Sequence, residues 1–348
     1  MTKYYTRLST NLDSILLSSN FGHLFLLDAN TGQLRWHQQM TLDDDEKRMY
    51  IQLCDDIILL GEGSGSVFAK NPKYHLRALD VQTGAEKWSL EFQNPVGPPS
   101  LYQGVVYVIV GRHLIALEFL TGKKLWQYQE DCRINLFCLA FHGNVAYYFT
   151  NGSSQPRIYK SIKALDLESQ KVLWTFDGNS KWLPKFLHME TQFMSSEIYN
   201  GVVYVTTLSS LLALDAKSGK ELWSSEMDDN IKGVQHSCMD GDLACIRTTQ
   251  HLTIINLQTQ KKMPSFKCNP YPAIFKDSVV YYGDATRNAF VVLESDNWTK
   301  KWSKSVHSGS GITLEIFQED IILVNGDEAW RLDAETGESK WHHLLNFE

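Results

Sequence analysis

The sequence predicts an all-β chain, an eight-bladed β-propeller of four-stranded antiparallel blades. Three observations predict it. A word such as "LLALDAKSGKELW" (residues 211–223), an apolar strand ending in an acid, a turn holding Gly219 and then a tryptophan, recurs along the chain. Upstream of each word lies a second strand pair joined by a tight turn. Nothing in the 348 residues reads as a long amphipathic helix.

The acid of each word serves as an anchor. Asp28, Asp80, Glu118, Asp166, Asp215 and Asp333 are each followed eight residues later by tryptophan, at Trp36, Trp88, Trp126, Trp174, Trp223 and Trp341, and these six read as complete corners. Glu294 to Trp302 keeps the spacing without the glycine, and Asn256 to Pro264 is degenerate. Eight corners, near 28–36, 80–88, 118–126, 166–174, 215–223, 256–264, 294–302 and 333–341, place a single propeller domain over residues 1–348.

Each unit is built in the order A, B, C, D. Strands A and B flank pairs such as Asn200-Gly201 and Asp240-Gly241, which are strong two-residue hairpin signals. Strand C is the apolar run before the anchor, and strand D leads to the tryptophan. Between C and D the anchor carboxylate accepts backbone N–H bonds, and glycine supplies the positive φ that other residues resist. The tryptophan buries a large surface and carries an N–H needing a partner, so it suits a fixed slot on a neighbouring unit. The corner thus reads as joinery.

The pattern [AL]-L-D-x-x-[TS]-G-x-x-x-W resembles the pyrroloquinoline-quinone (PQQ) enzyme-like repeat, whose tryptophan-docking motif ties adjacent blades together. The resemblance covers nearly the whole chain. It implies the propeller and leaves the function open, because that family includes exported quinoprotein dehydrogenases, a scaffold lipoprotein of outer-membrane assembly and propellers of unassigned role.

Composition narrows the partners. A formal net charge of −7 argues against nucleic acid, whose affinity comes mostly from Lys and Arg. No apolar run approaches membrane-spanning length. The N-terminal stretch has only "SILL" as an apolar core, so with Met1 as the start the protein is expected to be cytoplasmic. The six cysteines fit reduced thiols. Cys132 and Cys138 would lie roughly 20 Å apart on one strand, and a two-residue Asp240-Gly241 turn would pair Cys238 with Leu243 rather than Cys245. No CxxC supports zinc.

Strand order puts the A–B turns and C–D corners on one face, and the B–C loops and D–A connections on the other. The long anchor-to-anchor intervals are the first, third and fourth, and their extra residues fall in D–A connections (41–49, 177–194) and B–C loops (61–74, 150–160). A–B turns read as two residues throughout. Variable loops on a rigid scaffold are where binding resides. Trp182, Phe186, Met189 and Phe193 recur at helical spacing and form an apolar ridge. With Tyr74, Arg157 and Tyr159 from the two B–C loops, they are the candidate partner-binding residues. His23, His75, His113 and His251 share one place at the start of strand C, on the order of 10 Å apart on neighbouring blades, too far to share a metal at about 2 Å.

These readings favour a non-catalytic scaffold that holds a protein or peptide partner through the loop-bearing face, as a monomer or within a hetero-complex. No catalytic, cofactor or metal residue is assigned, and no cofactor is expected. The alternatives are a PQQ- and Ca²⁺-dependent dehydrogenase, which the resemblance implies, and small-ligand or glycan sensing in the central channel. Against the dehydrogenase stand short blades and the absence of adjacent cysteines. Against glycan sensing stands the use of most tryptophans in corners.

Overall fold

The computed structural model describes residues 6–19, 22–40, 49–62, 73–151, 159–177, 196–206, 210–226, 234–248, 250–263, 265–267, 270–284, 288–306 and 312–345. It is all-β and contains eight blades. Blade 1 is β1 (Thr6–Thr10), β2 (Ser14–Ser19), β3 (His23–Asp28) and β4 (Leu34–Gln39). Blade 2 is β5 (Met49–Cys54), β6 (Ile57–Glu62), β7 (Tyr74–Asp80) and β8 (Glu86–Phe92). Blade 3 is β9 (Ser100–Tyr102), β10 (Val105–Val110), β11 (His113–Glu118) and β12 (Lys124–Gln129). Blade 4 is β13 (Ile134–His142), β14 (Val145–Asn151), β15 (Tyr159–Asp166) and β16 (Val172–Asp177). Blade 5 is β17 (Ser196–Tyr199), β18 (Val202–Thr206), β19 (Ser210–Asp215) and β20 (Glu221–Glu226). Blade 6 is β21 (Val234–Asp240), β22 (Leu243–Thr248), β23 (His251–Asn256) and the short β24 (Phe266–Lys267). Blade 7 is β25 (Pro270–Lys276), β26 (Val279–Asp284), β27 (Ala289–Glu294) and β28 (Lys300–Ser305). Blade 8 is β29 (Ile312–Phe317), β30 (Asp320–Asn325), β31 (Glu328–Asp333) and β32 (Ser339–Leu344). Every sheet is made of four consecutive antiparallel strands, the β-propeller arrangement.

The chain divides into two units: Met1–Gln127 with Arg287–Val291 and Lys300–Glu348, and Tyr128–Thr286 with Val292–Thr299. In the first, the two faces of blade 1 are buried against different neighbours. Ile15, Leu17, Phe25 and Leu27 pack with Ile322, Val324 and Trp341 of blade 8. Leu16, Leu24 and Leu26 pack with Met49, Leu53, Ile58 and Leu60 of blade 2. A strand covered on both faces needs apolar residues at consecutive positions, hence "ILLSS" and "IILLGE" buried throughout. Outer strands such as β4 and β12 alternate instead. In the second unit the joint between blades 4 and 5 is built the same way, from Phe149, Ile162, Ala164, Trp174, Val205 and Leu214.

The corners fold by local chemistry. Asp28 accepts the backbone N–H groups of Asn30 and Thr31 at 3.0 and 2.9 Å. Asp215 does the same for Ser218 at 2.7 Å, and Asn256 for Thr259 at 2.7 Å. The fourth residue after every anchor has positive φ: Gly32, Gly84, Gly122, Gln170, Gly219, Gln260, Trp298 and Gly337. The corner of blade 4 is therefore not complete as the sequence suggested, since Gln170 stands where glycine was expected, at φ 54°. The Asp166 carboxylate, accepting the Ser169 N–H at 2.7 Å, holds the turn that puts Gln170 there.

At Gly32, Gly122, Gly219 and Gly337 an indole fills the space a Cβ would need, whereas at Gly84 the Gln38 side chain does. A Cβ on Gly32 would come within 2.6 Å of Trp341, and one on Gly219 within 2.5 Å of Trp174. The indole N–H groups then donate to the carbonyl just after the next anchor: Trp341 to Ala29 (3.0 Å), Trp36 to Val81 (2.7 Å), Trp88 to Phe119 (3.0 Å), Trp174 to Ala216 (3.0 Å) and Trp302 to Ala334 (2.9 Å). Blade 7 inverts the device. Trp298 occupies the glycine position of its own corner at φ 59°, and its ring stacks on Phe266 of blade 6 at 5.3 Å.

Blade 8 is joined to blade 1 by a second bond set. Buried Arg331 reaches Asp320 (2.6 Å), the Ala29 carbonyl (2.9 Å) and Asn30 (3.0 Å), and lies over the Phe317 ring. Lys340 also binds Asp320, at 2.6 Å.

First strands of adjacent blades touch, β1 with β5 and β29, and β21 with β25. Four joints between neighbouring blades carry the same latch. A side chain two residues before an A–B turn, or its equivalent in blade 1, accepts a main-chain N–H from the next blade's first strand. Ser9 accepts from Leu53 (2.9 Å) and Gln52 from Leu101 (3.1 Å). Glu315 takes the N–H of Thr10 and its hydroxyl at 2.8 Å, and Glu197 takes the N–H of Met239. An edge strand presents unpaired N–H groups, and the latch satisfies one per joint.

Two turn expectations are corrected. In blade 1 the pairing of Thr10 with Ile15 leaves residues 11–14 between them, so this A–B turn exceeds two residues. Asn11 explains it, accepting the N–H groups of Asp13 and Ser14 and donating to the Asp55 carbonyl of blade 2. In blade 6 the turn residues are Gly241 and Asp242, not Asp240 and Gly241. Asp240 pairs with Leu243, and Cys238 stands directly opposite Cys245.

Candidate functional site

The strand boundaries put the extra chain where the sequence placed it. Six B–C connections are short, whereas Glu62 is separated from Tyr74, and Asn151 from Tyr159, by long loops. The long D–A connections run from Gln39 to Met49 and from Asp177 to Ser196. Trp182, Phe186, Met189, Phe193 and Arg157 lie outside the described residues. Tyr159 opens β15, paired with Asn151. Tyr74 is a correction: it opens β7 but is only 5% exposed, packed with Leu76, Trp88, Val96 and Val110, so it is a core residue and no surface anchor.

In both blades with long B–C loops a cation of strand C, Arg77 or Lys163, is bound by a buried glutamate. In blade 2 it is Glu62, the last residue of β6, whose side chain is 3% exposed. His75 Nδ1 lies 3.1 Å from it and Arg77 Nε donates to it at 3.3 Å. Arg77 also bonds Glu86 at 2.8 Å, and Lys73, just after the loop, bonds Glu91 at 3.0 Å. For blade 4 it is Glu130, in the connection between β12 and β13, whose carboxylate accepts from Tyr148 Oη (2.5 Å), Tyr128 Oη (3.2 Å) and Lys163 Nζ (2.7 Å).

The electrostatics of the second cluster are those of a closed network. Burial and the hydrogen bond to Glu130 push the Tyr148 phenol far above the ordinary tyrosine value, and Tyr128 rises for the same reasons. Burial alone would lower Lys163, but the hydrogen bond to Glu130 and the charge of that carboxylate, together with smaller contributions from Tyr128 and Cys132, outweigh this and raise it. The two phenols and the ammonium are held in their ordinary charge states, and Glu130 accepts from all three. Such a cluster is a structural anchor and no general base.

Sequence reasoning did not find these cradles, although one signal was present. Arg77 and Lys163 both stand three residues before their anchors, a place held by Phe25, Ile115, Leu212 and Val291 in other blades. A cation at an otherwise apolar position of a two-sided strand requires a buried acid.

The inner-strand carboxyls behave differently. Burial, with the nearby Cys238 adding to it, raises Glu197 to about 7, and the Met239 N–H offsets only part of this. Glu315 is raised by burial, against its two bonds to Thr10. A folded-state value above the unfolded one means that Glu197 contributes stability below about pH 4.5, lost as the pH rises through about 7. Glu197→Gln is therefore expected to gain on the wild type over that interval, by a total on the order of 3 kcal/mol. Urea unfolding at pH 4.5 and 8 checks this; parallel pH profiles would refute it.

Among the described residues no group of three or more His, Cys, Asp and Glu is arranged to hold a metal ion. His23 stacks on His37, their ring nitrogens 3.0 Å apart, and burial with the charge of His37 lowers its pKa.

Comparisons with known proteins agree with this architecture. A family model described as outer membrane protein assembly factor BamB matches residues 20–153. The chain is 23% identical to BamB of Moranella endobia over 237 residues, 60% of this chain and 50% of that protein. It spans half or less of the length of the curated relatives it matches. Among solved structures, BamB of Moraxella catarrhalis aligns with a TM-score of 0.66 at 15% identity, covering 96% of this chain and 97% of the other. A quinohemoprotein alcohol dehydrogenase of Comamonas testosteroni aligns at 0.68 and 13% identity, covering 97% and 74%. At these identities the structural likeness speaks for the fold alone. With corners, strand order and these matches in agreement, the chain is an eight-bladed β-propeller of PQQ-like repeats.

Proposed function

We propose that the chain is a non-catalytic scaffold that holds a protein or peptide partner on the face bearing the B–C and D–A loops. The observation that carries this reading is the pair of cradles. Both long B–C loops spring from blades in which a strand-C cation, Arg77 or Lys163, is tied to a buried glutamate, Glu62 of the same sheet or Glu130 of the preceding connection. A loop rooted this way has a fixed base for recognition, and the carboxylate is consumed in bonds instead of facing a substrate. The similarity to proteins named as assembly factors supports the same reading.

The test has two arms. Thermal-shift titration with PQQ and Ca²⁺ is expected to give no saturable rise in Tm; a saturable rise would replace the scaffold by a cofactor-dependent enzyme. In parallel, partner recovery from the native host is compared for Trp182→Ala/Phe186→Ala and for Leu120→Ala, an exposed corner residue of the opposite face. Loss is expected only in the first variant. Loss only in the second assigns binding to the corner face.

A further inference from the structure

Blade 6 holds two thiols where the chain can join them. Across the Gly241–Asp242 turn the register pairs Asp240 with Leu243, Met239 with Ala244 and Cys238 with Cys245. The Cys238 Sγ leans over β22, 3.9 Å from the Cys245 carbonyl oxygen. Both cysteines are thiols in this structure. Directly opposed residues of antiparallel strands hold their Cβ atoms about 4.5–5.5 Å apart. A disulfide needs about 3.5–4.5 Å between Cβ atoms and about 4.4–6.8 Å between Cα atoms. The Cα requirement is met by the pairing itself, and a closure of roughly 1 Å meets the other.

We propose that Cys238 and Cys245 form a reversible redox couple, oxidised to a cross-strand disulfide by small-molecule disulfides. The two thiols are unequally accessible: Cys238 is half-buried on the inner strand, whereas Cys245 is fully buried. An external oxidant therefore meets Cys238 first. The Cys238 thiolate attacks one sulfur of the oxidant, forming a mixed disulfide and expelling the other sulfur as a thiolate that takes up the displaced proton. Cys245, as thiolate, then attacks the Cys238 sulfur, forms the cross-strand bond and expels the second oxidant thiol. Two protein thiols and one external disulfide become one protein disulfide and two external thiols, so electrons and protons balance.

The bond has to pull two strands together, and strained disulfides are the readily reduced, regulatory ones. Its consequence is local. It fixes β21 to β22 in the blade whose outer strand β24 is only two residues long. Cys54 is a poor competitor. Its thiol is pushed up to about 12 by burial and the charge of Asp55, which keeps it from the thiolate form.

The experiment equilibrates the folded protein in oxidised/reduced glutathione buffers, quenches with acid, blocks free thiols and maps disulfides by peptide mass spectrometry. The expected result is one two-electron transition yielding a Cys238–Cys245 cross-linked peptide, reversed by dithiothreitol, with Cys54 unmodified. Cys245→Ala, a smaller apolar residue suited to the buried site, is expected to trap Cys238 as the glutathione adduct, which the wild type resolves. A persistent Cys238 adduct in the wild type, or a cross-link formed only after unfolding in urea, would overturn the proposal. Because the readout is covalent mass in the wild-type protein, it does not depend on whether any variant binds a partner.

Discussion

Replacing Arg331 by methionine is expected to lower stability by about 3–5 kcal/mol, the cost of breaking a buried charge pair while leaving its partner in place. Methionine keeps most of the packing over Phe317, so the loss reports on the bonds. Arg331 is buried and serves Asp320 of its own blade together with the Ala29 carbonyl and Asn30 of blade 1. Its removal leaves Asp320, whose side chain is 2% exposed, with Lys340 as its remaining charged partner. Lys340→Met is the matched control. That ammonium is half-exposed, and a pair of this kind contributes about 1 kcal/mol or less. Urea midpoints with unchanged m-values measure both. Equal losses would show that the bonds to blade 1 add nothing.

Trp174→Ala is expected to cost about 3–5 kcal/mol, the range for emptying a buried aromatic site. The ring is 9% exposed, donates to Ala216 at 3.0 Å and lies flat on Gly219, with no room for a Cβ between them. Trp223→Ala is expected to cost clearly less. Trp223 is half-buried against the cluster of Tyr204, Ile255 and Leu257, and the corner of blade 6 carries Gln260 in place of glycine. Among the described residues Trp223 makes no indole hydrogen bond like those of Trp174 and its counterparts. Chemical denaturation of the two variants side by side decides the matter. Equal losses would mean that area alone sets the value of these tryptophans and that the glycine slot is incidental.

The difference between these tryptophans marks the limit of what the sequence disclosed. The corners were legible because their chemistry is local: an acid, a turn and an indole at fixed spacing act within one stretch of chain, whatever surrounds it. The strand order and the loop-bearing face followed from the same spacing. Gln170 and Trp298 were not legible as left-handed residues, since the bonds of the anchor and not the residue type impose that conformation. The cradles are the opposite case from the corners. Glu130, Tyr148 and Lys163 come from a connection and two strands, and no local pattern ties them together. The opposition of Cys238 and Cys245 turned on one residue of turn register: Gly241 takes the first turn position at φ 55°, and a count that begins at Asp240 moves every partner by two. The apolar ridge of Trp182, Phe186, Met189 and Phe193 stays an expectation that mutagenesis has to examine.

Every blade is drawn from one unbroken stretch of chain, β29–β32 as much as β1–β4, and the last is held to the first through Arg331, Trp341 and the apolar packing between the two blades. Among the described residues no blade borrows a strand from the far end of the sequence. The repeat therefore has no privileged starting phase. An order of blades beginning at the second or third would preserve every sheet, and would exchange only which joint is bridged by peptide and which by Arg331 and Trp341. A circularly permuted gene, opened in a D–A connection, is the natural way to ask how far the identity of this protein resides in its blades and how little in the order in which the ribosome delivers them.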